Sequence, residues 1–208
     1  MSALVALAPV WPRIAASAAI PLRLPRAGVV LTFDDGPHPE GTPAVLDLLE
    51  DARTRAIFFL VGEQVERHPG VAAEIAARGH EIAVHCHAHR VQLRLSERAI
   101  HDDLQRALAV IRDATGADPK LHRPPLGIYS PAGLRVAREL GLEPLLWSRW
   151  GKDWRRWTTP ERIAARATRD LGDGDVILLH DADHYSAKDS WRRTVAALPA
   201  IFRLTGPS

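Results

Sequence analysis

Two stretches of this chain hold residues whose types and spacing suit hydrolytic chemistry. In the first, the apolar, β-branched run Val29-Val30-Leu31-Thr32-Phe33 ends in two adjacent carboxylates, Asp34 and Asp35, before Gly36 and Pro37 force a turn. Taken alone, Asp-Asp-Gly-Pro is ordinary turn chemistry. In the second, His85-Cys86-His87-Ala88-His89 places three imidazoles within five residues after the apolar run Ile82-Ala83-Val84. A continued strand would put all three on one face; a helical turn would pair His85 with His89 and send His87 elsewhere. Neutral imidazoles plus one carboxylate suit a borderline divalent ion such as zinc, with a position left open for water. The carboxylate would come from Asp34 or Asp35.

Further polar residues follow other apolar runs: Arg123, Asp153, and His180 through His184. The elements that must position them read as strands over Gly28 to Phe33, Ala56 to Leu60, Glu81 to His85, Lys120 to Arg123, Glu143 to Trp147 and Asp175 to Leu179. Helical patterns lie between them. Ser96 caps the clearest, Leu95 staples onto Ile100, and Ile100, Leu104, Ala107, Leu108 and Ile111 repeat at helical spacing before Gly116. Ser130-Pro131 and Thr159-Pro160 open two more, and Pro43 to Asp51 and Pro69 to Arg78 complete the set. This alternation predicts an α/β fold, a parallel sheet of six to seven β/α units that closes into a barrel. In such a barrel the polar residues after each strand converge on one rim.

With 208 residues, 46% of them hydrophobic and 25% charged, the chain suits one domain with a sizeable core. Lys plus Arg number 27 against 25 for Asp plus Glu, too balanced to argue for nucleic acid, and the one concentrated basic run is Trp154-Arg155-Arg156-Trp157. The single cysteine, Cys86, excludes an intrachain disulfide and a Cys-rich zinc site, and leaves the compartment open between cytoplasm and export. The apolar N-terminus is too short to span a bilayer and lacks the basic start of a signal peptide. Residues 1–27 are therefore expected to pack on a domain spanning 28–208, the alternative being a leader cleaved near Ala15-Ala16-Ser17-Ala18-Ala19, and a monomer is expected.

In order along the chain, Thr32-Phe33-Asp34-Asp35-Gly36-Pro37, Gly79-His80-Glu81-Ile82 leading to His85 and His89, Arg123-Pro124-Pro125-Leu126-Gly127, Trp147-Ser148 with Asp153-Trp154, and Ile177-Leu178-Leu179-His180-Asp181 resemble the five motifs of the polysaccharide deacetylases of carbohydrate esterase family four. The resemblance implies a distorted (β/α) barrel and metal-dependent hydrolysis of an N-acetyl or related acyl group on an amino sugar of a glycan or oligosaccharide. It makes Asp35, His85 and His89 the metal ligands and Asp34 the general base, paired with Arg123. His180 becomes the general acid, oriented by Asp153, and the backbone N–H of Leu126 faces the oxyanion. Zinc is the expected ion, with cobalt, nickel or manganese as alternatives.

Three departures from the family pattern stand out. Cys86 replaces a Ser or Thr, Leu126 replaces an aromatic residue, and Trp150 stands where an acidic residue is common. Trp147, Trp150, Trp154 and Trp157 fall within eleven residues, and an indole can stack on the apolar face of a sugar ring. Leu126, Trp150, Trp154 and His184 are the expected substrate contacts. A deacylase of a small amide or of a lipid-linked amino sugar is a variant of this reading. The alternative from another class is a catalytically silent carbohydrate-binding module, which would have lost an acid, base or ligand.

Overall fold

Strands form where the apolar runs are continuous, because a parallel strand is buried on both faces. The computed structural model describes residues 3–9 and 11–205; residues 1, 2 and 10 of the N-terminal segment and 206–208 lie outside the described residues. Seven strands are present among these: β1 (Val30–Asp34), β2 (Ala56–Val61), β3 (Glu81–Cys86), β4 (Leu121–His122), β5 (Glu143–Pro144), β6 (Arg149–Trp150) and β7 (Val176–His180). They pair in parallel in the order β5-β4-β3-β2-β1-β7-β6, a curled half-barrel whose seam lies between β5 and β6. The helices α1 (Pro12–Ser17), α2 (Gly41–Asp51), α3 (Gly62–Arg67), α4 (Pro69–Ala77), α5 (Glu97–Thr115), α6 (Pro131–Glu139), α7 (Pro160–Ala167) and α8 (Ser190–Thr205) complete a single-domain α/β fold.

Alternation along each strand divides two cores. Leu31, Phe33, Ile82, Val84, Ile177 and Leu179 face the helices. Val30, Ala83, Val176 and Leu178 face the barrel interior. Asp34, His85 and His180 share the inward parity at the C-terminal ends of β1, β3 and β7. Register places Asp34 directly beside His180 on the neighbouring strand.

Residues from the N-terminal segment fill the interior from its other side. Val5, Ala8, Ala15 and Ile20 belong to the interior cluster. Pro21 accepts a hydrogen bond from the Leu146 N–H at 3.0 Å, Leu24 donates to Gly174 at 2.9 Å, and Arg23 bridges Asp175 in antiparallel fashion.

The expected caps form. Ser96 Oγ accepts from the Ala99 N–H, Ser130 Oγ from Gly133 and Thr159 Oγ1 from Arg162. Gly116 takes φ 67° after α5, a left-handed conformation that glycine adopts without a Cβ clash. Two expectations are corrected. The run Glu143 to Trp147 is not one strand: β5 stops at Pro144, which cannot donate to a ladder, and a separate short strand carries Trp150. Helices α1, α3 and α8 lack a clear signal in the sequence, because α1 and α3 span only six residues each and α8 carries Pro199 inside its pattern. Among the described residues no helix is long and apolar enough to cross a membrane.

Candidate active site

The strand ends open onto a cavity of ≈ 200 Å³ lined by Asp34, Asp35, His85, His89 and His180, with indole walls from Trp147, Trp150 and Trp154. Adjacent residues on a strand point to opposite faces, yet both carboxylates reach this cavity. The backbone explains it. Asp34 is the last residue of β1, and Asp35 takes φ 77°, a left-handed conformation that swings its side chain back over the barrel. Close packing holds that turn. A Cβ on Gly36 would lie 2.5 Å from Asp181 Oδ2, and the buried Asp181 carboxylate accepts from the Thr42 hydroxyl.

Asp35 Oδ1 lies 3.4 Å from His85 Nε2 and 3.3 Å from His89 Nε2. It is buried and has no hydrogen-bond partner among the described residues. Donors ~2.0–2.1 Å from one tetrahedral ion sit about 3.3–3.4 Å apart, so this buried, orphaned oxygen and its two nitrogens fit a zinc-like cation. Three donor atoms within 4.8 Å of one another make the group a candidate metal-binding triad. Burial alone would raise the Asp35 carboxyl, but His85, His89 and the charge of His180 outweigh it and hold it well below the usual carboxylate range.

His87 is not part of the triad. β3 continues only through Cys86, and the chain then bends. His87 turns to Glu66, 3.3 Å away, and a Cβ on Gly62 would meet its ring at 2.8 Å. Asp103 on α5 accepts from the N–H groups of His87 and Ala88 at 2.7 and 3.0 Å. That grip fixes the loop between His85 and His89. Cys86 is a buried free thiol pushed well up by burial and by the nearby carboxylates of Asp103 and Asp35.

Asp34 and His180 each have a buried orienting partner. Arg123, wholly buried, donates to Asp34 Oδ1 at 2.7 Å, to Thr32 Oγ1 at 2.9 Å, and to the carbonyls of Leu145 and Leu146 at 3.0 and 2.8 Å. Its guanidinium lies 4.0 Å over the Phe59 ring. Burial works to lower its pKa, and the facing Asp34 charge opposes that. Asp153 accepts from His180 twice, from the backbone N–H at 2.7 Å and from Nδ1 at 3.0 Å. The other ring nitrogen of His180 then faces the cavity, 3.9 Å from Asp35 Oδ2. Burial lowers the His180 pKa, but the charge and hydrogen bond of Asp153, with Asp35 and Asp34 behind it, raise it to about 10.

Leu126 stands at the cavity mouth, 60% exposed, with φ 60° and ψ 8°. A left-handed leucine is rare, and such outliers concentrate at functional sites. Trp150 and Trp154 line the cavity, whereas Trp157 is exposed outside it. His184 does not line it: its ring packs on His38 and Nε2 lies 3.3 Å from the Pro37 carbonyl. Its neighbour Tyr185 does, stacking on the His89 ring at 4.0 Å and accepting from Gln64 through its hydroxyl at 2.9 Å. Thr194 on α8 donates to Asp153 at 2.8 Å. The stretch Asp183-His184-Tyr185 after the fifth motif offers polar groups for the pocket, and of these Tyr185 lines it; Thr194 carries no local signal in the sequence.

The model of the family described as "Polysaccharide deacetylase" matches residues 23–145. A peptidoglycan-N-acetylglucosamine deacetylase of Bacillus cereus is 35% identical over 175 residues, covering 83% of this chain and 79% of that protein. A chitooligosaccharide deacetylase of a Bradyrhizobium strain is 37% identical over 186 residues, 84% of each. The structure of a family 4 carbohydrate esterase from Streptomyces lividans in complex with acetate superposes with a TM-score of 0.77 at 30% identity, covering 86% of this chain and 87% of that one.

Proposed function

The chain belongs to the polysaccharide deacetylase family, and from that premise we propose that it is a metal-dependent hydrolase that removes the N-acetyl group from an amino sugar of a glycan or oligosaccharide. The carrying observation is the convergence in one cavity of a His₂Asp triad, a carboxylate held by a buried arginine, and an imidazole held by a buried carboxylate. A silent binding module would lack one of these groups.

Asp35, His85 and His89 would hold the ion, with zinc the best match to two nitrogens and one oxygen. When bound, such an ion supplies Lewis acidity to the amide carbonyl and acidifies water in the site. Asp34, fixed through Oδ1 by Arg123, keeps Oδ2 free to take a proton from the attacking water. The backbone N–H of Leu126 is assigned to the developing oxyanion. His180, protonated through its pairing with Asp153, gives its proton from Nε2 to the departing amine, which is otherwise a poor leaving group. Trp150, Trp154 and Leu126 are assigned to the sugar ring, and His184 to support of the turn at Pro37.

An assay panel of N-acetylglucosamine oligomers, peptidoglycan fragments and small amides, scored by acetate release, tests this reading. Release from at least one glycan is expected. Release from the small amides only, or from none, would refute it.

A further inference from the structure

Near Trp150 a group of cations stands without carboxylate partners among the described residues. Lys152 Nζ lies 4.3 Å over the Trp150 ring, the indole that walls the active-site cavity. Its ammonium is held below the usual lysine range, first by burial and then by the charges of Arg155 and Arg166. Arg155, Arg156, Arg162 and Arg166, with Trp157 and Thr158, line a hollow of ≈ 450 Å³. Arg166 also lines a neighbouring recess that reaches Trp150, so the hollow is joined to the cavity wall in two steps, through Arg166 and then Trp150.

Among the described residues none of Lys152, Arg155, Arg156, Arg162 and Arg166 has a carboxylate partner. Elsewhere on the surface Arg78 has three, and Arg112 and Arg192 are paired as well. Of the neighbouring carboxylates, Asp170, which lines the recess shared with Arg166, pairs with Arg169, and Glu161 is held low by Thr159 and its own helix end. Like charges gathered without counter-charge repel, and an anionic ligand relieves that repulsion. Guanidiniums suit planar oxyanions, and the arginines here are free to bind.

We propose that this hollow is an anion-binding subsite that takes carboxylate groups carried by a glycan whose N-acetyl sugar sits in the cavity on the other side of Trp150. The proposal rests on the deacetylase reading. Concavity, and a route back to the cavity through Arg166 and Trp150, favour a glycan strand over a bilayer, which would require a broad face.

The test uses a matched pair of ligands: an oligosaccharide alternating N-acetylglucosamine with N-acetylmuramic acid, and the same oligosaccharide with its lactyl carboxylates converted to amides. Binding is measured calorimetrically to the wild-type protein and to Arg162→Ser/Arg166→Ser and Arg162→Lys/Arg166→Lys. Wild type should bind the carboxylate form about tenfold more tightly at low salt, with the preference shrinking as salt rises, as expected for several exposed ion pairs acting together. The serine variant should lose the preference and the lysine variant keep most of it. Equal affinities for the pair in wild type, or a preference that survives in the serine variant, would overturn the subsite. So would capture of phosphatidylglycerol vesicles by wild type alone while both glycans bind alike, which would assign the patch to a membrane surface. Acetate release from the amidated oligosaccharide reports on the deacetylase reading separately. Release without carboxylate preference rejects only the subsite, and absence of release from both forms and from N-acetylglucosamine oligomers rejects the deacetylase reading, and with it the subsite as a part of that site.

Discussion

Asp34 and Asp35 are neighbours in different surroundings, and the proposed division of tasks between them rests on what each faces. Arg123 occupies one oxygen of Asp34, while Asp35 offers a buried oxygen to two imidazole nitrogens. Asp34→Asn should therefore keep the metal and lose turnover, and Asp35→Asn should lose metal first; elemental analysis beside acetate release separates them, and the reverse pattern would exchange the roles. His180 gives a prediction that depends on the leaving group. His180→Ala should slow hydrolysis of an N-acetyl amide by roughly a hundredfold or more, and that of an activated acetate ester much less, because a phenolate departs without a proton. Equal losses on both would leave His180 with only a shaping role. The pH sign follows from Asp153, which raises the His180 pKa. In Asp153→Asn the imidazolium is lost earlier as pH rises, so the alkaline limb of activity moves to lower pH.

Elements place these groups by register and by grip. Asp34 and His180 are cross-strand neighbours because β1 and β7 pair in parallel, and that pairing follows from two apolar runs buried on both faces. Such placement was legible in the sequence: each polar residue followed its strand, and Ser96, Ser130 and Thr159 announced their helices. The path of the loop after β3 was not. Nothing local in His85-Cys86-His87-Ala88-His89 decides between strand and helical turn; the decision comes from Asp103, distant in sequence, which takes the N–H groups of His87 and Ala88. Asp103→Ala should thus weaken metal binding by about tenfold to a hundredfold, as for other outer contacts that orient ligands, with the fold retained. Competition against a chelator measures this, and unchanged affinity would mean that the loop is held by Glu66 and Gly62 alone. The region of β5 and β6 was misread for a similar reason. Pro144 ends one ladder, and the strand that carries Trp150 is fixed by its partner β7 rather than by its own two residues.

At the scale of the molecule, the barrel is open at its seam and filled from one side by the N-terminal segment. Val5, Ala8, Ala15 and Ile20 pack with Val30, Ile57 and Val176 in the interior. The apolar character of that segment was readable, but its seat was not, because the interior exists only once the sheet has curled. Ile20→Ala should lower stability by about 2–4 kcal/mol, the range for truncating a buried aliphatic side chain. Denaturant midpoints with an unchanged slope would register it, and a change below a few tenths of a kcal/mol would mean that the segment lies on the domain without supporting it. The whole arrangement converges on one claim, that a single divalent ion held by Asp35, His85 and His89 is required for deacetylation. The most direct measurement is acetate release from an N-acetylglucosamine oligomer by chelator-stripped protein as zinc is added stepwise. Activity should start near zero, rise in proportion to the zinc added, and break at one equivalent per chain. Full activity in the stripped protein, or a rise that passes one equivalent without a break, would contradict it.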